Sequence, residues 1–192
     1  MTGVLTMETA RGPVVLRPER PDDADFLYGL FRSHMRAELA LMPVDDAVRD
    51  ALVRMQFASQ TATYRAHYPA ARFDSVERDG VPVGRLVVDD AADAACIVDF
   101  ALLPEHRGGG LGSAIMAGTL ARLAERPRPV RCKVLCTNAP SLRMCRRVGF
   151  VHIGGELPFL QLEWRPPTGA GVNAAPTARE PWPGSSDASA PP

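Results

Sequence analysis

The chain has 192 residues, 46% of them hydrophobic, enough for one domain with a core of its own. Its 22 basic residues balance 22 acidic ones, so no net field draws it toward nucleic acid or an anionic membrane surface. No apolar stretch approaches the ~20 residues of a membrane span and the N-terminus lacks an apolar signal core, so the expected location is cytoplasmic. Lys133 is the only lysine, and the excess of arginine beside abundant Ala, Gly and Pro reads as the composition of a GC-rich, bacterial genome.

In chain order, residues 1–12 show no period and read as a frayed N-terminus. Val14 to Pro18 reads as a short strand. Pro21-Asp22-Asp23-Ala24-Asp25 then supplies cap chemistry for a helix with Phe26, Leu27, Leu30 and Phe31 on one face. Ser33 to Pro43 breaks that pattern. A second helix is expected from Asp45 or Asp46 to His67, with Val48, Leu52, Met55 and Ala62 at helical spacing. Arg72–Glu77 and Val83–Val88 flank Asp79-Gly80, the signal of a tight hairpin. Ile97 to Leu103 reads as a buried strand, and Ser113 to about Glu125 as a helix that Pro127 and Pro129 break. The strand Val130–Cys136, a short helix after Asn138, and the strands Phe150–Ile153 and Leu157–Trp164 complete the domain. From 166 to 192 the composition turns to Pro, Ala, Gly and Ser. Such a segment buries too little apolar surface to offset its ordering entropy and is read as disordered.

The chemistry concentrates between Leu102 and Ser113. A strand meets a proline, passes through Gly108, Gly109, Gly110 and Gly112, and enters a helix. Glycines let backbone N–H groups approach an anion with no Cβ in the way, and the helix N-terminus adds partial positive charge. A Walker loop is excluded, because no lysine stands here. The dinucleotide fingerprint is nearly met by Gly108, Gly110 and Ser113, but no β-α-β unit with an acidic residue follows. The spacing present is Arg-x-x-Gly-x-Gly, from Arg107, Gly110 and Gly112. Downstream stands Asn138-Ala139-Pro140-Ser141-Leu142-Arg143-Met144-Cys145-Arg146-Arg147-Val148-Gly149-Phe150, in which Gly149 suits a left-handed helix cap.

These two motifs, in this order and at this separation, resemble those of the GNAT superfamily of N-acetyltransferases, and the resemblance spans residues 13–165. It implies an α/β (α+β) fold: a mixed central sheet of about seven strands, splayed at a cofactor slot, with about four helices. It implies acetyl-CoA as co-substrate and no metal. The backbone of Phe100, Ala101 and Leu102 would pair with the pantetheine arm, the Leu102 N–H facing the thioester oxygen. Arg107, Gly108, Gly109, Gly110, Leu111, Gly112 and Ser113 would wrap the diphosphate, and Asn138 would bond the pantetheine region. The family's tyrosine, proton donor to the leaving thiolate, falls on Cys145, which is either a shorter donor or a packing residue. The glutamate that many members carry five residues before the asparagine falls on Lys133, which cannot act as a base while protonated.

Asp99, in the middle of an apolar strand, needs a reason to be there. It is either the base or anchor for the acceptor amine, or the structural partner of a nearby arginine. Candidates for acceptor contact are Arg36, Glu38 and Tyr64, with Gln56 and Gln60 on the same helix as Tyr64. His34, His67, His106 and His152 form no ligand pair, and Cys96, Cys132, Cys136 and Cys145 lack Cys-x-x-Cys spacing and read as free thiols. The leading expectation is transfer of acetyl from acetyl-CoA to a primary amine, of a small molecule or a peptide N-terminus, directly in a ternary complex. No nucleic acid or membrane partner is expected, and a homodimer is allowed. A catalytically weak acetyl-CoA-binding regulatory module is the alternative, kept by the loss of both usual proton-transfer residues. A purely structural domain, its glycine loop a mere turn, is a third.

Overall fold

The structure, a computed structural model, describes residues 3–35, 39, 43–91 and 93–167. Among these, eight strands form one sheet: β1 (Leu5–Met7), β2 (Val14–Pro18), β3 (Arg72–Arg78), β4 (Val81–Asp89), β5 (Ala95–Leu102), β6 (Val130–Leu135), β7 (Val151–Gly154) and β8 (Phe159–Trp164). The described helices are α1 (Ala24–His34), α2 (Asp46–His67), α3 (Leu111–Leu123) and α4 (Ala139–Arg147). The strand order is β1-β2-β3-β4-β5-β6-β8-β7, every pair antiparallel except β5 with β6. No described helix is long and apolar enough to cross a membrane.

Local chemistry accounts for most of these boundaries. Asp45 caps α2 by accepting the Val48 N–H at 2.9 Å. Asp79 and Gly80, both at positive φ, make the hairpin turn between β3 and β4. Asn138 caps α4 through the Ser141 N–H at 3.2 Å, and Gly149, at φ 96°, ends it while Phe150 N–H returns to the Cys145 carbonyl.

The main core lies between the sheet and α3 with α4. Leu16, Val76, Leu86, Ile97 and Leu162 of the strands meet Ile115, Met116 and Leu120 of α3 and Cys145 of α4. Helices α1 and α2 take the other face, where Leu27, Leu30 and Val53 are buried. On α2 the inward face differs from the expected one. Val48 and Met55 are 45% and 61% exposed, while Val53 is buried and Phe57 packs on Tyr28 and Phe31. A helix that touches the sheet along one narrow line needs few apolar residues, so its period under-determined its rotation.

One expectation is corrected here. Residues 1–12 are not simply frayed, because Leu5–Met7 pairs with β2 as an edge strand. Met7 is buried, and its sulfur fills the place where a Cβ on Gly118 of α3 would stand. Three residues carry too little period to be read as a strand; the glycine on a distant helix makes room for them. The cap chemistry expected before α1 is supplied by Asp23 at the short helical turn Pro21–Asp23 that leads into the helix. Asp23 accepts both Arg17 guanidinium nitrogens at 2.7 Å, the Arg20 N–H at 2.7 Å and the Ser75 hydroxyl at 3.2 Å. Residues 168–192 of the expected tail lie outside the described residues.

That buried pair makes a stability prediction. The Arg17 hydrogen bonds hold the Asp23 carboxyl down to about 2. The folded form therefore binds its proton less readily than the unfolded chain. Its contribution is fully present above the ordinary carboxylate value near 4, and is lost as pH falls from there through about 2. Asp23→Asn leaves Arg17 with Glu77 as its one carboxylate partner among the described residues and should cost about 3 kcal/mol at neutral pH. Thermal melts at pH 7 should show a fall on the order of 10 °C. A melt within one or two degrees of wild type would show the pair to be dispensable.

Candidate active site

The strands β5 and β6 run parallel over only three residue pairs, Ala95 with Val130, Cys96 with Arg131, and Ile97 with Cys132. Beyond Ile97 they diverge and leave a slot. A register shift opposite Val87 and Val88 puts an extra residue, Val98, into β5 at that point. Such a bulge bends its strand and changes which backbone groups face which side. Leu103 N–H bonds the Val83 carbonyl at 2.9 Å, so by strand alternation Ala101 also faces β4, while Phe100 and Leu102 turn their N–H groups to the slot. Ala101, grouped with them from sequence, therefore offers no backbone group there.

The glycine loop lies at the open end of this slot. Gly108 and Gly110 sit at φ 76° and 89°, where a Cβ is strained, and Gly110 is the N-cap residue of α3. A Cβ on Gly112 would stand 3.5 Å from Leu102 and Met144 and 3.6 Å from Phe100, so β5, α3 and α4 meet at that glycine. The α3 N-terminus and the adjoining backbone form an anion cradle.

Two arginines that sequence reasoning did not single out flank the cradle. The Arg11 guanidinium is 3.5 Å from where a Gly110 Cβ would be, and Arg147 donates to Ser113 Oγ at 3.2 Å. Arg11 arrives on the β1–β2 turn, which the sequence did not reveal as an element. Arg147 stands within the second motif, where nothing in the sequence distinguishes it from Arg143 and Arg146. An open groove of about 800 Å³ runs from Arg11, Gly110 and Ser113 past Ala114 and Ala117 to Trp164.

Arg107, expected at the diphosphate, points elsewhere. Its Nε donates to the Leu102 carbonyl at 2.8 Å, and one terminal nitrogen reaches His34 Nε2 at 3.1 Å and Ser33 Oγ at 3.4 Å. It ties the end of α1 to the end of β5. Since His34 Nδ1 lies 2.8 Å from the Leu30 carbonyl, that nitrogen carries the proton and Nε2 accepts from Arg107. Burial pushes the His34 imidazole down, keeping it neutral.

Asp99 faces the α1/α2 side beside the slot, its side chain 24% exposed. Burial pushes its carboxyl above the usual range, against the pull of Arg85. Arg85 donates to Asp99 at 3.3 Å but to Glu19 at 2.7 Å, and Glu19 also takes Arg65 at 3.2 Å. Glu19 is the closer partner of Arg85, so charge neutralisation there does not depend on Asp99. Tyr64 joins this group from α2, its hydroxyl pushed up to about 12 by burial first and by the Asp99 charge next. The structure thus brings Asp99 and Tyr64 together. Arg36 and Glu38 lie outside the described residues. Glu19, His34 and Arg85 were not foreseen, although Arg85 interrupts the apolar run of its strand just as Asp99 interrupts β5.

Cys145 is 2% exposed and its thiol hydrogen-bonds that of Cys132, the β6 residue at the vertex of the slot. The pair gives up its first proton from Cys145, because Cys132 can donate to the resulting thiolate. Cys132 is itself driven up, by that bond and then by burial. The Asn138 carbonyl oxygen is engaged in capping α4, which leaves its amide NH₂ for a ligand.

The family model for the acetyltransferase (GNAT) family matches residues 40–150. Among solved structures, the chain is similar to the PaiA N-acetyltransferase of Thermoplasma acidophilum in complex with coenzyme A, at TM-score 0.61 and 13% identity over 79% of this chain and 98% of that one. It is similar to RimJ of Mycobacterium smegmatis in complex with CoA-disulfide, at TM-score 0.58 and 22% identity over 84% and 86%. An acetyltransferase of Thermus thermophilus matches at TM-score 0.58 and 22% identity over 79% and 96%. At these identities the likeness concerns the fold. No curated protein matches the chain.

Proposed function

The chain belongs to the GNAT acetyltransferase family, and on that premise we propose that it moves an acetyl group from acetyl-CoA to a primary amine, of a small molecule or a protein N-terminus, by direct transfer in a ternary complex. The observation that carries this reading is the slot: two backbone N–H groups, Phe100 and Leu102, face an open edge that ends at an anion cradle. An extended arm with amide groups can pair there like an added strand, while its diphosphate rests on the α3 N-terminus between Arg11 and Arg147. Similar structures of PaiA and RimJ hold coenzyme A or its disulfide, which supports the choice of ligand.

In this reading the Leu102 N–H polarises the thioester carbonyl, and Asp99 takes the proton from the acceptor amine. His34 and Tyr64 position the acceptor beside Asp99. Cys145, at the vertex of the slot, is nearest to where the thiol leaves. Its burial favours packing over proton donation, so Cys145→Ala should slow turnover less than tenfold at about pH 8. A loss of about 10² or more would instead make it the acid. The regulatory-module alternative keeps one supporting observation, a lysine rather than a carboxylate at position 133. Amine-dependent release of free thiol from acetyl-CoA, with one acetyl group gained by the amine for each thiol released, tests the transferase reading. Tight acetyl-CoA binding without release for any amine would leave the regulatory reading standing.

A further inference from the structure

Away from the slot, a cavity of about 490 Å³ lies under the C-terminal end of α3. The helix starts at the cradle, and its 13 residues, at about 1.5 Å each, put Leu123 roughly 20 Å farther along its axis. Leu16, Leu86 and Val88 of the sheet and Leu123 of the helix line the cavity with apolar surface. Asp74 stands among them. It pairs with Leu86 across β3 and β4, and side chains directly opposite share a face, so its carboxylate points to the α3 side of the sheet.

A carboxylate in such a place is costly unless its oxygens are satisfied. Asp74 is 2% exposed. One oxygen accepts from Arg72 Nε, while the other, Oδ1, is buried with no hydrogen-bond partner among the described residues. Thr119, whose hydroxyl is in the lining, spends its proton on the Ile115 carbonyl of its own helix. Burial pushes the Asp74 carboxyl up, against the pull of Arg72 and with a smaller push from Glu19. The remaining charges of the lining are matched with one exception. Arg72 pairs with Asp74, Arg65 with Glu19 and Arg126 with Asp90, whereas the exposed Arg122 has no ion pair among the described residues. A plain anion would meet the Asp74 carboxylate, and a polyamine would meet the surplus guanidinium. An ammonium suits Oδ1, an acidic group suits Arg122, and an apolar body suits the walls around them.

We propose that this cavity is a binding site for an apolar α-amino acid, its ammonium on Asp74 Oδ1, its carboxylate on Arg122 and its side chain against Leu16, Leu86, Val88 and Leu123. The site is separate from the slot, and its roof is the far end of the helix whose first turn forms the cradle.

Calorimetry on the full chain tests this with L-leucine and L-phenylalanine, and with two analogues of leucine that each lack one end. Leucinamide keeps the amine without the carboxylate, and 4-methylpentanoate keeps the carboxylate without the amine. At least one of the amino acids should bind with a Kd of about 1 mM or tighter, and each analogue about tenfold or more weakly than leucine. In Arg122→Gln leucine should weaken to the level of leucinamide, and Arg122→Lys should restore the difference. In Asp74→Asn leucine should weaken to the level of 4-methylpentanoate. Where Asp74→Asn does not fold, the exposed Arg122 decides the matter alone. The proposal is overturned if neither amino acid binds at up to about 20 mM, or if the analogues bind as well as leucine. Binding of leucine that Arg122→Gln leaves unchanged would also overturn it, because the amino acid would then sit elsewhere, as in the slot.

Discussion

Asp99→Asn is expected to lower kcat by about 10²-fold or more while leaving the affinity for acetyl-CoA nearly intact. The aspartate sits beside the slot rather than in the anion cradle, so its loss removes a proton acceptor and no phosphate contact. The fold should survive, because Glu19 is the nearer partner of Arg85, at 2.7 Å against 3.3 Å for Asp99. The pH profile makes the test sharper. Burial raises the Asp99 carboxyl, and only the ionised form accepts a proton. Activity of the wild type should therefore fall as the medium is acidified, with a midpoint above the ordinary carboxylate value of about 4. The variant should lose that acid limb along with its rate. A fully active variant with an unchanged profile would exclude Asp99 as the base. The enzyme would then act by proximity on amine already deprotonated in bulk solvent.

Gly110→Val should weaken acetyl-CoA binding by about 10²-fold or more in a protein that still folds. At φ 89° a valine is strained whatever space surrounds it, and the residue is the N-cap of the helix whose N–H groups form the cradle. Relaxing that strain rotates the peptide planes that would face the diphosphate. The Cβ itself meets only the far end of the long Arg11 side chain, so the core under α3 is not disturbed. Calorimetry paired with circular dichroism checks this. A folded variant with wild-type affinity would remove the glycine loop from the binding site.

Much of this was legible in the sequence because it depends on local chemistry. The Asp79-Gly80 turn, the Asp45 cap and the Gly149 exit are each set by one or two residues whose conformational preferences are strong. The same holds for the glycine loop, a backbone device that side-chain variation elsewhere does not hide. What escaped depends on contacts between distant segments. The strand Leu5–Met7 exists because Gly118 leaves a place for Met7, more than a hundred positions away. Arg107 read as a cradle residue by its position in a motif, yet its guanidinium turns to His34 and Ser33 of the first helix, a choice that only the packing of α1 decides. Ala101 was grouped with its neighbours because the bulge at Val98, which fixes the parity of the strand end, leaves no mark in an apolar run.

Amide hydrogen exchange at the end of β5, with and without acetyl-CoA, locates the ligand on or off the slot. The Phe100 and Leu102 N–H groups face the slot, whereas the Ala101 N–H faces β4. With the ligand at about a hundred times its Kd, exchange at Phe100 and Leu102 should slow by about 10²-fold, while Ala101 changes little. Unaltered exchange at Phe100 and Leu102 in protein that has bound acetyl-CoA would place the ligand somewhere other than the open edge between β5 and β6.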